Sequence, residues 1–302
     1  MILPAGELTS IRSPQVKAAR QLGRRALRQR ARLFLAEGPQ AVGEALAAGG
    51  VVTQLFVTAA ALARYHELAS RAAAQGVDVH AVSGELMSEL AQTVTPQGIL
   101  AVCRFIDVGL AQVFSAAAPP TLIVVLANVR DPGNAGTVLR TADAAGADAV
   151  VFAGSSVDPY NSKCVRASAG SLFHLPVVVG TPVPDAVHTL HQAGLRVLAA
   201  DGGARRTLDD LQADGVLGRP TGWLFGNEAW GLPGDVRSLA DEAVAVPIYG
   251  RAESLNLAAA AAVCLYASAR AQGPQRPAGP PRPPWESGDG ARTAGPGGCR
   301  CA

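Results

Sequence analysis

Apolar and polar positions follow two rhythms along this chain. Beyond residue 120, short continuous apolar runs recur at 121–127, 149–152, 176–179, 196–200, 222–225 and 243–246. Between them lie stretches with apolar residues three and four apart. Continuous runs of that length suit strands buried on both faces. Their alternation with helical stretches predicts a parallel sheet covered by helices. Ligands of such sheets bind beyond the carboxyl ends of the strands.

The first hundred residues are more mixed. A basic helix is expected over 14–31, then a short strand, a Gly38-Pro39 turn and a helix carrying Val42, Ala45 and Leu46. Strands follow at 54–58, 77–82 and 99–104, with helices at 60–75 and 83–91 between them. We read 1–106 as a small α/β domain, 107–120 (ending Ala-Ala-Ala-Pro-Pro) as a linker, and 121–271 as the parallel-sheet domain. Residues 272–302 are rich in Pro, Gly and Arg, too poor in apolar surface to fold, and are expected to be disordered.

Composition narrows the class. At 302 residues, 49% hydrophobic and 17% charged, the chain suits two domains with a generous core. No apolar run approaches the roughly 18 residues of a membrane span. The first residues lack the apolar core and small-residue cleavage site of a signal peptide, so a cytoplasmic protein without membrane contact is expected. Net charge is only +2, yet Arg12, Lys17, Arg20, Arg24, Arg25, Arg28, Arg30 and Arg32 face only Glu7 in the first 32 positions. That block is a candidate phosphate-binding arm or a solvated basic helix. Five cysteines and five histidines show no zinc spacing, so neither a metal nor disulfides are expected. The terminal Cys-Arg-Cys-Ala lacks the aliphatic middle of a prenylation signal.

Three polar clusters follow strands of the second domain. After the first strand come Asp131-Pro132-Gly133-Asn134, Gly136 and a helix expected from about Thr137, with Arg140 in its first turns. Glycine allows close backbone approach and a helix start favours anions, although a surface arginine would look the same. The second cluster, in GWLFGNEAWGLP, presents Asn227 and Glu228 at a strand's end. Its carboxylate can meet a ligand or hold the N–H groups of a neighbouring loop. The third, VPIYGRAESLNLA, carries Ser254 and Asn256 into an Ala-rich helix, where either can cap. GxGxxG is absent, which disfavours a nicotinamide oxidoreductase despite Asp201 after its strand.

Taken together, DPGNAGTVLRTA, LFGNEAWGLP and VPIYGRAESLNLA resemble the three signature motifs of the SpoU/TrmH family of RNA ribose 2′-O-methyltransferases in the SPOUT superfamily. Asp131 stands where that pattern often has Asn. FLAEGPQAVGEAL and VTPQGILAV resemble the family's ribosomal-protein-like substrate-binding domain. The resemblance implies a SPOUT-type domain with a C-terminal trefoil knot, a homodimer, and S-adenosylmethionine as cofactor. It implies Leu224, Gly226, Gly231, Val246, Ile248 and Leu255 as cofactor contacts, and Arg140, Asn134, Glu228, Ser254 and Asn256 as the catalytic set. Arg140 is the family's candidate for handling the hydroxyl proton, although a guanidinium normally keeps its own. Arg20, Arg24 and Arg28 are the expected RNA contacts, with ribosomal RNA favoured over transfer RNA. A non-catalytic RNA-binding module would not need the second and third motifs.

Overall fold

A computed structural model describes residues 7–115 and 118–273. The alternating pattern folds into two sheets. The first contains β1 (Glu7–Leu8), β2 (Leu33–Glu37), β3 (Val52–Val57), β4 (Asp78–Val82) and β5 (Ile99–Arg104), in the order β1-β4-β3-β5-β2. β5 runs antiparallel to both neighbours, while β4 is parallel to β3 and β1. Side chains on β2 alternate between two cores. Phe34 and Ala36 join the large core shared with the second sheet, and Leu35 packs with Val16, Leu86 and Met87 on the other side.

The helices of this part are α1 (Pro14–Gln21), α2 (Arg25–Ala31), α3 (Pro39–Ala47), α4 (Ala59–Arg64), α5 (His66–Ala74) and α6 (Gly84–Leu90). The single basic helix expected over 14–31 is two helices. Leu22 and Gly23 donate to carbonyls only three residues back, at 3.0 and 3.2 Å, and the chain turns there. The helix expected over 60–75 is likewise divided at Tyr65.

The second sheet is parallel throughout, ordered β10-β12-β9-β11-β6-β7-β8. After α7 (Leu110–Val113) its elements follow as β6 (Leu122–Ala127), α8 (Pro132–Ala144), β7 (Ala149–Ala153), α9 (Ser162–Ala167) and β8 (Val177–Val179). Then come α10 (Val183–Gln192), β9 (Arg196–Ala200), β10 (Arg206–Thr207), α11 (Leu208–Ala213) and β11 (Thr221–Phe225). α12 (Gly234–Arg237), β12 (Glu242–Ala245) and α13 (Leu257–Gln272) complete it. β6, β7 and β11 are buried at every position, as their unbroken apolar runs require. The two-residue strands β1 and β10 carry too little pattern to be read from sequence.

α8 begins earlier than the glycines suggest. Asp131 caps it, accepting from the Asn134 amide at 2.7 Å, and Pro132 occupies its first position, where no N–H is needed. Arg140 therefore lies more than two turns into the helix, not in its first turns. Gly136 does not break α8 but lets α9 approach. A Cβ there would stand 2.4 Å from the Cys164 carbonyl oxygen.

The two sheets share a core. Phe105 and Phe34 pack against Tyr160 with ring centroids 3.8 and 4.7 Å apart, and the Tyr160 hydroxyl donates to Asp107 at 2.8 Å. Within the 107–120 stretch, Val108 donates its N–H to the Val177 carbonyl and Val113 is buried against the second sheet. His174 joins Glu44 of α3 to Asp143 of α8, at 3.1 and 2.7 Å. Cys103, Cys164 and Cys264 are buried free thiols. No described helix is long and apolar enough to cross a membrane. The expected tail falls outside the described residues from 274 onward.

Candidate active site

The carboxyl ends of β6, β9, β11 and β12 open on one side of the second sheet, and the three polar clusters meet there. After β11 the chain makes a tight turn in which Asn227 and Gly231 exchange both backbone hydrogen bonds at 2.9 Å. Gly231 takes the left-handed conformation that closes it, φ +67°. Asn227 also donates its side-chain amide to the Asn128 carbonyl at the end of β6, tying the two strand ends together.

Glu228 holds the loop after β6. Its carboxylate accepts from the Arg130 and Asp131 amides at 3.2 and 3.0 Å and from Asn134 Nδ2 at 3.3 Å. Asn134 Oδ1 in turn accepts from Asn256 Nδ2 at 3.0 Å, while Asn256 Oδ1 caps α13 through the Ala258 amide. One residue from each cluster thus joins a single chain of side-chain bonds. Ser254 lines the adjoining cavity without a partner among the described residues.

That cavity is about 450 Å³ and lies between the turn after β11 and the segment that follows β12. Its wall is mainly apolar, with Phe225, Val244, Val246, Ile248 and Leu255, and it includes Gly226 and Gly231. Two carboxylates, Asp201 and Glu228, also line it. An Arg237 hydrogen bond at 2.8 Å is the chief reason the Asp201 carboxyl is held below its ordinary range. At Gly226 a Cβ would stand 2.5 Å from the Gly231 carbonyl oxygen, so only glycine permits this closeness of strand end and turn. The Leu224 side chain does not reach the cavity. It lies within β11, fully buried, and packs among Ile123, Val125 and Val197 away from the cavity. Strand alternation puts Phe225, not Leu224, on the cavity side.

Residues 121–266 match the family model described as the SpoU rRNA Methylase family, and residues 13–101 match an MRM3-like substrate binding domain. The chain is 36% identical, over 88% of its length and 94% of the relative's, to a protein of Synechocystis described as an uncharacterized tRNA/rRNA methyltransferase. It is 32% identical, over 86% of its length and 98% of the relative's, to the 23S rRNA (guanosine(2553)-2′-O)-methyltransferase RlmP of Bacillus subtilis. The chain belongs to the SpoU methylase family. Among solved structures, the AdoMet-bound rRNA methyltransferase from Sinorhizobium meliloti aligns with TM-score 0.75 and 31% identity. That alignment covers 88% of this SpoU chain and 97% of the other.

The cavity of this SpoU methylase suits a ligand such as AdoMet. Its volume lies within the roughly 300–1,000 Å³ of small-molecule sites. An apolar slot with exposed loop backbone suits an adenosyl group, and the Glu228 carboxylate, held only by amide donors, keeps a negative charge on the wall for a cationic one. Among the described residues no cluster of histidine, cysteine or carboxylates is arranged to hold a metal ion.

Arg140 is exposed on α8 and has no hydrogen-bond or ion-pair partner among the described residues. Of the expected RNA contacts, Arg24 is exposed and Arg20 pairs with Glu89 at 2.9 Å on the surface. Arg28 is corrected. It is 3% exposed, and its guanidinium donates to Asp158 Oδ2 at 2.7 and 3.1 Å and to the Leu22 and Gly23 carbonyls. It ties α2 to the segment between β7 and α9 and is not presented to a phosphate.

Several residues at the site escaped the sequence reading. Lys163 bonds Asp131 at 2.9 Å and is the leading cause holding that carboxyl below its ordinary range. Asn128 adopts φ +57° and accepts from the Ser155 amide at 2.8 Å, turning the chain out of β6. Trp230, 55% exposed, lies with the Arg130 guanidinium 5.6 Å from its ring centroid. An Asn at a strand end is the sort of signal that could have revealed Asn128. Nothing local marks Lys163, whose partner is distant in sequence.

Proposed function

We propose that this methyltransferase transfers a methyl group from S-adenosylmethionine to a ribose 2′-hydroxyl of 23S ribosomal RNA. The observation that carries this reading is the bonded junction of Glu228, Asn134 and Asn256 beside the apolar cavity. The cofactor supplies an electrophilic sulfonium methyl, which leaves positioning and proton handling to the protein. Val246, Ile248 and Leu255 form the slot for the adenosyl group, with Gly226 and Gly231 bringing loop backbone up to it. Glu228 fixes the loop after β6 through two amides, and Asn134 and Asn256 hold the mouth of the cavity in register with it. Ser254 faces the same cavity with its hydroxyl uncommitted.

Arg140 receives the RNA. A guanidinium remains protonated and forks onto phosphate oxygens, so Arg140 grips the phosphate beside the reacting ribose and aligns the hydroxyl. With the cofactor bound, the S–CH₃ bond would break as the O–CH₃ bond forms, leaving S-adenosylhomocysteine, and the hydroxyl proton would pass to water at the open mouth of the site. Exposed Arg20 and Arg24 supply phosphate contacts from the first domain, consistent with the substrate-binding family that domain matches. Such a substrate is met in the cytoplasm.

The same reading includes a trefoil knot and a homodimer. β12 enters the sheet between β9 and β10, and α13 packs against both α8 and α11, an arrangement consistent with threading of the last segment. Stretching the chain by its ends should give a contour shorter than full extension, and a full contour would exclude the knot. Tyr249, Val263 and Tyr266 are exposed large side chains on the last loop and helix, suited to burial by a second copy. Sedimentation equilibrium should report a dimer, and a monomer at micromolar concentration would contradict it.

Tritiated S-adenosylmethionine offered with unmodified 23S ribosomal RNA and with transfer RNA, separately, tests the substrate. Label in 23S RNA is expected. Label in transfer RNA alone would overturn the ribosomal assignment.

A further inference from the structure

The Trp230 side chain is not explained by the cofactor cavity. Its neighbours Ala229 and Gly231 line that cavity, but Trp230 does not. The turn that carries it is held by both Asn227–Gly231 backbone bonds, so the indole is presented on a fixed support. More than half of its surface is exposed, an unusual state for the largest apolar side chain. Its recorded ring contact is Arg130, which has no ion-pair partner among the described residues. The Arg130 backbone is itself anchored, because its amide donates to Glu228. An aromatic face and an uncompensated cation therefore stand side by side where two loops of the site meet.

We infer that Trp230 is a stacking platform for an unpaired base of the substrate RNA, with Arg130 holding a phosphate of the same strand. The inference rests on the functional reading above and adds a nucleobase subsite to it. Indole is the best stacking surface among side chains for a base freed from its neighbours, and such stacking tolerates any base identity. Arg130 approaches one ring face at 5.6 Å, and with 55% of the residue exposed the indole keeps surface for a second flat group. The cation also suits the phosphodiester that must accompany any base at this position. A nucleotide held out of a helix can bring its ribose hydroxyl to a site at the strand ends, and a rigid aromatic beside the entrance provides that hold.

Filter binding of a 23S RNA transcript to the full-length protein, wild type against Trp230→Ala and Trp230→Phe, tests this without requiring turnover. Loss of one stacked base should weaken binding by roughly tenfold to a hundredfold in Trp230→Ala. Trp230→Phe should recover most of it, and the S-adenosylmethionine Kd should be unchanged in both. In a transfer assay the KM for RNA should rise with kcat little altered. Unchanged RNA affinity in Trp230→Ala would overturn the assignment. So would a parallel loss of cofactor binding, which would mean the indole only supports the turn. A changed oligomeric state would assign the indole to contact with a second copy, again overturning it. If the wild type binds the transcript but transfers no methyl, the binding ratio still decides the platform while the functional reading fails separately. A wild type that does not bind the transcript overturns both.

Discussion

Replacing Arg28 with alanine removes a guanidinium with 3% exposure that donates twice to Asp158, itself only 5% exposed, and once each to the Leu22 and Gly23 carbonyls. The variant leaves the Asp158 carboxylate buried without its cation and two carbonyls without their donor. Breaking a buried pair in this one-sided way costs about 3–5 kcal/mol. At about 2–4 °C per kcal/mol for domains of 150–250 residues, the midpoint should fall by roughly 6–20 °C. Thermal unfolding of wild type, Arg28→Ala, Asp158→Ala and the double variant measures both the loss and the coupling. The double variant should lose less than the sum of the singles, because it strands no charge. Well below the midpoint, RNA affinity should stay near wild type in Arg28→Ala, whereas Arg24→Ala should weaken it and lower the salt slope by about one. An unchanged midpoint together with lost RNA affinity would refute the reasoning and return Arg28 to the RNA-binding arm.

Arg140→Ala should lower kcat at least about a hundredfold while leaving S-adenosylmethionine affinity intact, since the residue is apart from the cofactor cavity; substantial surviving turnover in a single-turnover assay would remove it from the mechanism. Glu228→Gln keeps the shape but replaces a carboxylate that accepts from two amides and Asn134. Its turnover should fall about tenfold to a hundredfold with little loss of thermal stability, and activity within twofold of wild type would contradict the loop-anchoring role. The His174 bridge gives a pH prediction. Its hydrogen bond to Asp143, aided by Glu44, pushes the imidazole up to about 9. The raised value means stabilisation is fully present below about pH 6.5 and is lost as pH rises through 9. With its side chain 42% exposed, screening leaves about 1 kcal/mol. His174→Gln should flatten denaturation midpoints across that window, and a wild-type curve already flat there would count against the bridge.

The parallel strands were legible because burial on both faces leaves unbroken apolar runs, as in β6, β7 and β11. The site was legible for a related reason. Strand ends are where a parallel sheet offers its polar groups, and Glu228 follows β11 closely, while Asn134 in α8 and Asn256 at the start of α13 reach the same place from farther along the chain, their roles implied by the family motifs. Features set by distant partners were not legible. Nothing near Arg28 separates it from Arg24 and Arg25, since its carboxylate lies 130 positions away. Gly133 and Gly136 suggested a turn, yet Asp131 and Pro132 start the helix there, and Gly136 answers to the Cys164 carbonyl of another helix. Leu224 enters the expected cofactor set only through the family resemblance, and a fully apolar strand carries no alternation to show that its side chain packs into the sheet's other face. Helix 14–31 looked continuous because a basic composition says nothing about the turn at Gly23.

Methyl transfer at the junction of Asn134, Glu228 and Asn256 is directed to a ribose oxygen. Its most direct test is alkaline hydrolysis of 23S ribosomal RNA labelled by the enzyme with tritiated S-adenosylmethionine. A methylated 2′-oxygen cannot attack the adjacent phosphate, so the label should remain in a dinucleotide resistant to alkali. Label released in mononucleotides would place the methyl on a base and contradict ribose methylation.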